Sequence, residues 1–404
     1  GMCAMLPASA QVATPQAETR LALVGSGFFS QGKLALYRQL AAREGVRLDY
    51  ASTPLTPEAL AALDGADLVL AELPPVQQWR DEKLPQQLGG LPRVLIIDRD
   101  GEQAQGLDKA QTALLAAYAR NGGERNLTAL LHYLRQWKAE GRPPVDPQPA
   151  LVMPRTGIYH PDYRDLAFSA LEDYLRWLGP KVTPGQPVVG IAMFASAIGS
   201  DSTAHIDALI REVEARGGIA LPFFRDTDGG VPVESLLMRD GVPFVDVVAN
   251  FEILYRSDVG NEYARLGVPV LQAITYWDGP EAAWQADRQG VSPGATSFYL
   301  ALPEQAGFID PLIVAAGKSR TPPQPIAAQI RSLAGKALNY AKLRRMPAAD
   351  KRLAIVFYNY PPGEKNLGAS GLNLPRSLHA ALAALREAGY GTDLPTEDGL
   401  LASL

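Results

Sequence analysis

One cysteine, Cys3, is all the chain contains. That excludes an internal disulfide and any zinc or iron–sulfur site built from several thiolates. Histidine is nearly as scarce: His132, His160, His205 and His379 are scattered, with no HxxxH or HExxH spacing. No resident metal site and no tightly bound cofactor are therefore expected. Long apolar runs are missing too, and nothing approaches the roughly 18 residues of a membrane-spanning helix. Charge of one sign is not in excess: 38 Lys and Arg against 43 Asp and Glu leave a net charge of -5, which speaks against a nucleic-acid surface. No G-x-S-x-G elbow or Ser-His-Asp order offers a hydrolase its nucleophile, so no catalytic residue is assigned.

What is present is the composition of a globular α/β protein, 47% hydrophobic and 20% charged. The first residues stand apart. Ala8-Ser9-Ala10 has the small-x-small form of a secretory cleavage site and is followed by a polar, Ala/Pro-rich stretch, so residues 1–19 read as a signal remnant or a disordered tail. A periplasmic location follows from the first reading, a cytoplasmic one from the second. From Arg20 onward, short apolar runs alternate with amphipathic stretches, the mark of a mostly parallel sheet with crossover helices. Strands are expected at 21–24, 46–50, 67–71 and 94–98, and helices at 31–43, 106–119 and 127–138. The Pro-rich segment 141–149 reads as a linker. A second region places helices at 165–178 and 202–215, strands at 187–194, 219–224, 244–248 and 268–271, and a long helix ending near Arg345. A third unit opens with a strand at 353–358 and a helix at 375–388, and stops as though cut short. The expected fold class is thus α/β: two Rossmann- or flavodoxin-like sheet domains, 20–145 and 150–346, plus the start of a further α/β unit, 350–404.

Several local signals compete. Gly25-Ser26-Gly27 follows a strand, but the third glycine of a dinucleotide fingerprint is Ser30, and a tight turn accounts for the glycines. Asp226–Gly230 has two of the acidic ligands of a calcium loop and lacks the rest. The tryptophans Trp79, Trp137, Trp177, Trp277 and Trp284 sit mostly at helical spacing and read as core. The densest feature is Tyr358–Ser370, at the carboxyl end of an expected strand, where open α/β sheets place ligands. Two prolines stiffen it, Gly363 and Gly368 let a ligand approach the backbone, and Tyr358 and Tyr360 alternate across the strand end. Such a lip suits a flat conjugated ligand, although a plain strand-to-helix turn would use the same residues.

Residues Phe357–Leu378, beginning FYNYPPGEKNLG, resemble the signature F-Y-N-Y-P-P-x-x-x-N-[IL]-G of the large subunit of cobalt and magnesium chelatases. Gly157–Pro161 is similar to that family's G-[LI]-Y-H-P element, and Asn126–Trp137, Pro187–Arg225 and Val247–Thr275 resemble further elements in the same order. The similarity runs from about residue 20 to 395. The resemblance implies the N-terminal part of a subunit that holds a tetrapyrrole, a porphyrin or corrin, while separate ATP-hydrolysing motor subunits drive metal insertion. It implies ligand-lining roles for Tyr358, Asn359, Tyr360, Asn366 and Gly368, and for Tyr159, His160 and Asp201. His160 would be an axial or proton-handling group in that setting; it also reads as a helix-capping or packed histidine. Two departures matter. Ala195 stands where the family carries an arginine suited to a propionate. The chain also has no His-Gly pair, hence none of the family's H-G-T-H-G-x-x-E motif, so it is not expected to catalyse alone. Combined with the export signal, the alternative expectation is a periplasmic relative that binds haem or another tetrapyrrole, or removes its metal, during uptake.

Overall fold

The computed structural model describes residues 18–73, 83–98, 100–225, 231–254, 259–318, 321–357 and 371–403. Leucine- and valine-rich runs buried on both faces make the first sheet. Strands β1 (Thr19–Gly25), β2 (Val46–Ser52), β3 (Leu68–Glu72) and β4 (Val94–Asp98) pair in parallel, and β5 (Gly101–Gln105) adds an antiparallel edge, in the order β2-β1-β3-β4-β5. Side chains of β1 alternate. Leu21 and Leu23 meet α1 (Gln31–Glu44), while Ala22 and Val24 face the side of α2 (Pro57–Leu63) and α3 (Leu84–Leu88). Two further helices, α4 (Lys109–Asn121) and α5 (Gly123–Glu140), pack beside α1 through Leu115, Tyr118, Leu127, Leu130 and Leu134. α4 opens with a capping box between Asp108 and Gln111, and α1 closes on Gly45 at φ 65°.

The Pro-rich segment after Gly141 is fastened down rather than free. Asn126 accepts the Leu151 N–H at 2.8 Å and donates its amide to the Leu151 carbonyl at 2.9 Å. Asn121 accepts from the Met153 N–H at 2.7 Å, and the Tyr118 hydroxyl donates to the Gln148 carbonyl.

The second sheet begins with the short edge strand β6 (Gly157–Ile158), followed by α6 (Leu171–Leu178), β7 (Val188–Ala192), α7 (Ala195–Gly199), α8 (Ala204–Ala215) and β8 (Ile219–Phe224). A four-residue helix α9 (Glu234–Leu237) and a small hairpin of β9 (Met238–Arg239) and β10 (Val242–Pro243) lead to β11 (Val247–Asn250), α10 (Val259–Leu266) and β12 (Val270–Tyr276). Then come β13 (Asp278–Gly279), α11 (Glu281–Ala286), α12 (Pro293–Thr296), α13 (Leu302–Gln305), β14 (Ile309–Lys318), β15 (Gln324–Pro325) and the long α14 (Ala327–Arg345). The parallel strands run β8-β7-β11-β12-β14, with β6, β13 and β15 antiparallel at the margins. Counted from its own first long strand, each sheet therefore reads 2-1-3-4-5, the flavodoxin-like order.

Three expectations need correction. The helix expected at 165–178 starts at Leu171, because Phe168 is occupied in a two-bond bridge with Ile158. β5 and β14 lie outside the expected strands, and β12 extends to Tyr276. No strand forms over 353–357, where Leu353, Ile355 and Val356 are exposed; a strand needs a partner, and the described residues supply none.

The chain divides into two compact units, 1–337 and 338–404. In the second, α15 (Leu374–Glu387) and α16 (Glu397–Ser403) share a small core of Leu374, Leu378 and Leu400. Among the described residues no helix is long and apolar enough to cross a membrane.

Candidate functional site: a cleft at two strand switch points

In a 2-1-3-4-5 sheet the crossover direction reverses between strands 1 and 3, leaving a crevice at their carboxyl ends. Here those ends are β1 and β3 in one sheet and β7 and β11 in the other, and the residues leaving them line one cleft. After β1 the chain turns sharply. A Cβ on Gly25 would lie 2.7 Å from Phe29 Cβ and 2.9 Å from the Tyr50 hydroxyl, so only glycine permits the turn. Ser26 Oγ accepts the Phe28 N–H at 3.0 Å, and Ser30 caps α1 by accepting from the Lys33 N–H at 3.2 Å. That geometry leaves Phe28 exposed on the rim and points Lys33 inward. The buried Lys33 ammonium pairs with Glu72 at the end of β3 and donates to the Ala119 carbonyl at 2.7 Å. Arg120 borders the same lobe, anchored by Glu102 at 2.8 Å and the Gly101 carbonyl at 2.9 Å. The opposite wall is the start of α7, Ala195 and Ser196, and the lobe encloses about 590 Å³.

A second lobe of about 290 Å³ shares Phe28, Ser30, Ser196 and Ser200 with the first, and lies over the ends of β7, β11 and β12. Its walls are aromatic: Phe194, Phe251, Trp277 and Tyr299. Trp277 Nε1 donates to the Tyr299 hydroxyl at 2.9 Å, which fixes the indole plane. His205, in the first turn of α8, sits edge-on to Phe251 at 5.4 Å between ring centroids. Its Nδ1 is buried with no hydrogen-bond partner, and burial lowers its pKa to about 4. Together the lobes are of a size suited to a small-molecule ligand, with polar groups at one end and apolar rings at the other. Close backbone approaches hold the walls together: a Cβ on Gly32 would fall 2.6 Å from the Ser200 carbonyl oxygen, and one on Gly122 2.2 Å from that of Gly199.

The expected site residues are distributed as follows. Tyr358, Asn359, Tyr360, Asn366 and Gly368 lie outside the described residues, as does the Asp226–Gly230 loop. Tyr159 and Asp201 both line a separate, polar groove of about 930 Å³. There the Tyr159 hydroxyl donates to Asp207 Oδ1 at 2.9 Å and lies 3.1 Å from Thr203 Oγ1, which donates to Asp207 Oδ2 at 3.0 Å. Burial raises the Tyr159 pKa far above its ordinary value and also raises that of Asp207. Asp201 adopts φ 50°, and its carboxyl is raised by burial and then by the Glu124 charge. Although larger, this groove is laced with ion pairs, Arg125–Asp165 and Arg211–Asp162 among them, and offers no apolar wall comparable to the aromatic lobe.

His160 is not on either surface. Its Nδ1 accepts the Asp162 N–H at 3.1 Å, so Nε2 carries the proton and donates to Glu214 at 2.9 Å, holding that carboxyl below its usual range. The ring packs 4.8 Å from Trp177. It is a packed histidine whose two nitrogens serve the fold.

Phe28, Lys33, Trp277 and Tyr299 are cleft residues that no sequence motif marks, and His205 and Phe251 lie within the family-like stretches Pro187–Arg225 and Val247–Thr275 without being singled out there. Trp277, expected in the core, follows β12 directly and is 37% exposed. Phe28, Phe251 and Trp277 share one signal, a place just after a parallel strand, visible only once strand order is known; Lys33 and His205 lie in the first turns of α1 and α8, and Tyr299 on a helical turn between α12 and α13.

Over residues 116–404 the chain matches the family described as CobN/Magnesium Chelatase. It is similar to a magnesium-chelatase subunit of Rhodobacter capsulatus, 28% identical over 317 residues that make up 69% of this chain and 25% of that protein. Likewise it is similar to the aerobic cobaltochelatase subunit CobN of Sinorhizobium sp, 28% identical over 334 residues, 76% of this chain and 26% of that one. The rice chloroplastic magnesium-chelatase subunit ChlH matches over 258 residues at 28% identity, 59% of this chain and 18% of that protein. The chain thus spans about a quarter or less of the length of these relatives. Among solved structures, the catalytic subunit of cobaltochelatase from Mycobacterium tuberculosis superposes with a TM-score of 0.70 at 21% identity, covering 95% of this chain and 33% of that one, a likeness of fold.

Proposed function

Because the chain belongs to the CobN/Magnesium Chelatase family, we propose that it forms one wall of a tetrapyrrole cleft in a chelatase large subunit, with metal insertion driven by separate ATP-hydrolysing subunits. The observation that carries this reading is the aromatic lobe at the paired switch points. A porphyrin or corrin presents a flat conjugated face, and Phe251, Trp277 and Tyr299 offer ring surfaces to it. Its charged or polar periphery would turn toward the first sheet, where Lys33, Arg120, Ser30 and Ser196 lie. Tyr358, Asn359, Tyr360, Asn366 and Gly368 remain proposed lining residues. The family's histidine motif is not in this chain, so the proton-accepting step of insertion is assigned elsewhere.

Absorption titration of the 404-residue chain with metal-free protoporphyrin and with a corrin precursor tests the reading. A red-shifted, saturable spectrum with at least one of them is expected. Trp277→Ala should weaken it about tenfold, or roughly 1.4 kcal/mol. No spectral change with either ligand would overturn the cleft assignment, and unchanged affinity in W277A would move the site away from the aromatic lobe.

A second reading is a periplasmic relative that binds haem or releases its metal, in keeping with the small-x-small pattern Ala8-Ser9-Ala10. The Ala8-Ser9-Ala10 segment lies outside the described residues. Fusing it, with its native upstream codons, to a reporter active only in the periplasm should give signal if this location holds, and a silent fusion would reject it.

A further inference from the structure

We infer that Asp201 is a positioning residue of the cleft: its left-handed backbone closes α7 and sets the wall that α7 presents to the ligand, and its carboxylate does not touch that ligand. What the wall holds rests on the tetrapyrrole reading above; how Asp201 builds the wall does not.

The turn after α7 has the hydrogen bonds of a Schellman closure. The Asp201 N–H donates to the Ile198 carbonyl at 3.3 Å and the Ser202 N–H to the Ala197 carbonyl at 2.9 Å, with Asp201 itself at φ 50°. Glycine is the usual residue at that place, because a Cβ crowds the following carbonyl in the left-handed region. Aspartate and asparagine are the side chains that enter it most readily. Hydroxyls add to the closure: Ser200 Oγ donates to the Ser196 carbonyl at 2.6 Å, and Ser202 Oγ to the Ser200 carbonyl at 3.2 Å. The turn is also hemmed in by α1, since the Ser200 carbonyl oxygen lies 2.6 Å from where a Cβ on Gly32 would stand.

This short segment is a partition with a cavity on each side. Ala195, Ser196, Ala197, Ser200 and Ser202 line the lobes of the cleft, whereas Ile198, Asp201 and Thr203 line the polar groove. Asp201 thus borders the groove and not the cleft. Among the described residues its carboxylate makes no hydrogen bond or ion pair, and the charge it meets there is that of Glu124, which repels it. The reason for an aspartate at this place therefore lies in its backbone. Cleft affinity then depends on the fraction of molecules in which the turn is closed. A residue that resists the left-handed region opens the turn more often, loosens Ser200 and Ser202, and lowers apparent affinity as that fraction falls.

Substitutions of Asp201 in the full chain separate backbone from carboxylate. Asp201→Gly and Asp201→Asn accept the left-handed backbone without a carboxylate, whereas Asp201→Ala and Asp201→Val resist it. Each is read by amide hydrogen exchange across residues 195–203 and by absorption titration with metal-free protoporphyrin. In the Gly and Asn variants, protection of the 200–202 amides and affinity should both stay within about twofold of the wild type. Both should fall about tenfold in Asp201→Ala and further in Asp201→Val; if the valine variant does not fold, alanine against glycine decides. A comparable loss of affinity in all the variants would show that the carboxylate holds the ligand and overturn the inference. Wild-type protection in Asp201→Ala would overturn it too, as would lost protection with unchanged affinity. Failure of the wild type to bind protoporphyrin, with the exchange pattern as expected, would refute the cleft reading and leave the closure of α7 by Asp201 standing.

Discussion

Replacing Gly32 with alanine sets two physical effects of opposite sign against each other. Gly32 is the second residue of α1, and within a helix glycine is about 0.5–1 kcal/mol worse than alanine. Helix propensity alone therefore predicts that Gly32→Ala stabilises the protein. Packing predicts the reverse. The added Cβ would sit 2.6 Å from the Ser200 carbonyl oxygen, 2.8 Å from Pro322 Cγ and 2.9 Å from Ser202 Oγ, where ordinary carbon contacts begin near 3.4 Å. One of these partners is backbone and another a proline ring, so neither yields by a simple rotamer change. Overpacking of this kind costs about 1–3 kcal/mol, and with two of the three contacts unable to rotate away the cost falls in the upper part of that range, about 2–3 kcal/mol, leaving a net loss of about 1–2 kcal/mol after the propensity gain. With a urea m-value on the order of 3 kcal/mol/M, the midpoint should fall by roughly 0.3–0.7 M. Gly294→Ala is the control, since a Cβ there meets nothing within 4 Å; it should leave the midpoint unchanged or raise it slightly. Urea titration followed by tryptophan fluorescence reads both. If Gly32→Ala proves as stable as the wild type, the close seam between α1 and the 199–202 turn is not as tight as described.

Further outcomes follow from the buried charges. Lys33→Met should destabilise by about 3 kcal/mol, because Glu72 would keep a largely buried charge without its ammonium and one of its oxygens already lacks a partner. Lys33→Met with Glu72→Leu should recover most of that loss, and a single variant of wild-type stability would refute the pairing. Two groups should tilt stability against pH in opposite directions. His205 has its pKa depressed from 6.5 to about 4, so its contribution is present above 6.5 and disappears as pH falls toward 4. Glu252, raised by burial from 4.5 to about 7, contributes below 4.5 and loses that contribution as pH rises through 7. Each swing is about 3 kcal/mol, and in the wild type they partly cancel between pH 4.5 and 6.5. Unfolding series over about pH 4–8 should show stability falling with rising pH in His205→Asn and rising with pH in Glu252→Gln; parallel slopes in the two variants would contradict the assignment.

Much of the fold is legible because its strands are compact apolar runs bounded by glycine. The stretches at 94–98 and 219–224 read as strands and are strands to the residue. β14 is hidden for a physical reason. It opens Ile309-Asp310-Pro311, and proline disqualifies an ordinary central strand. The structure accommodates it by placing Asp310 at φ 50° and shifting register twice against β12. At 353–357 the reverse holds: the pattern Leu-Ala-Ile-Val-Phe has every local mark of a strand, yet pairing depends on a neighbour that no local pattern reveals. The site divides similarly. Tyr159 and Asp201, joined in the sequence only by a family pattern, do share a groove. The aromatic lobe draws Phe28, Phe251 and Trp277 from segments more than two hundred residues apart at the extremes, and sequence spacing carries no trace of their meeting.

The strap from Gly141 to Met153 has a practical consequence for anyone dividing this protein. By composition it invites a cut, and a protease or a cloning boundary would be aimed there. Its carbonyls and amides, however, complete the side-chain amides of Asn126 and Asn121, two helix residues of the preceding half. Severing the backbone would leave a seam that still adheres, and expressing residues 20–145 alone would strip the buried Asn126 of its Leu151 partners. The first half is thus finished by a piece of chain that lies beyond its apparent end.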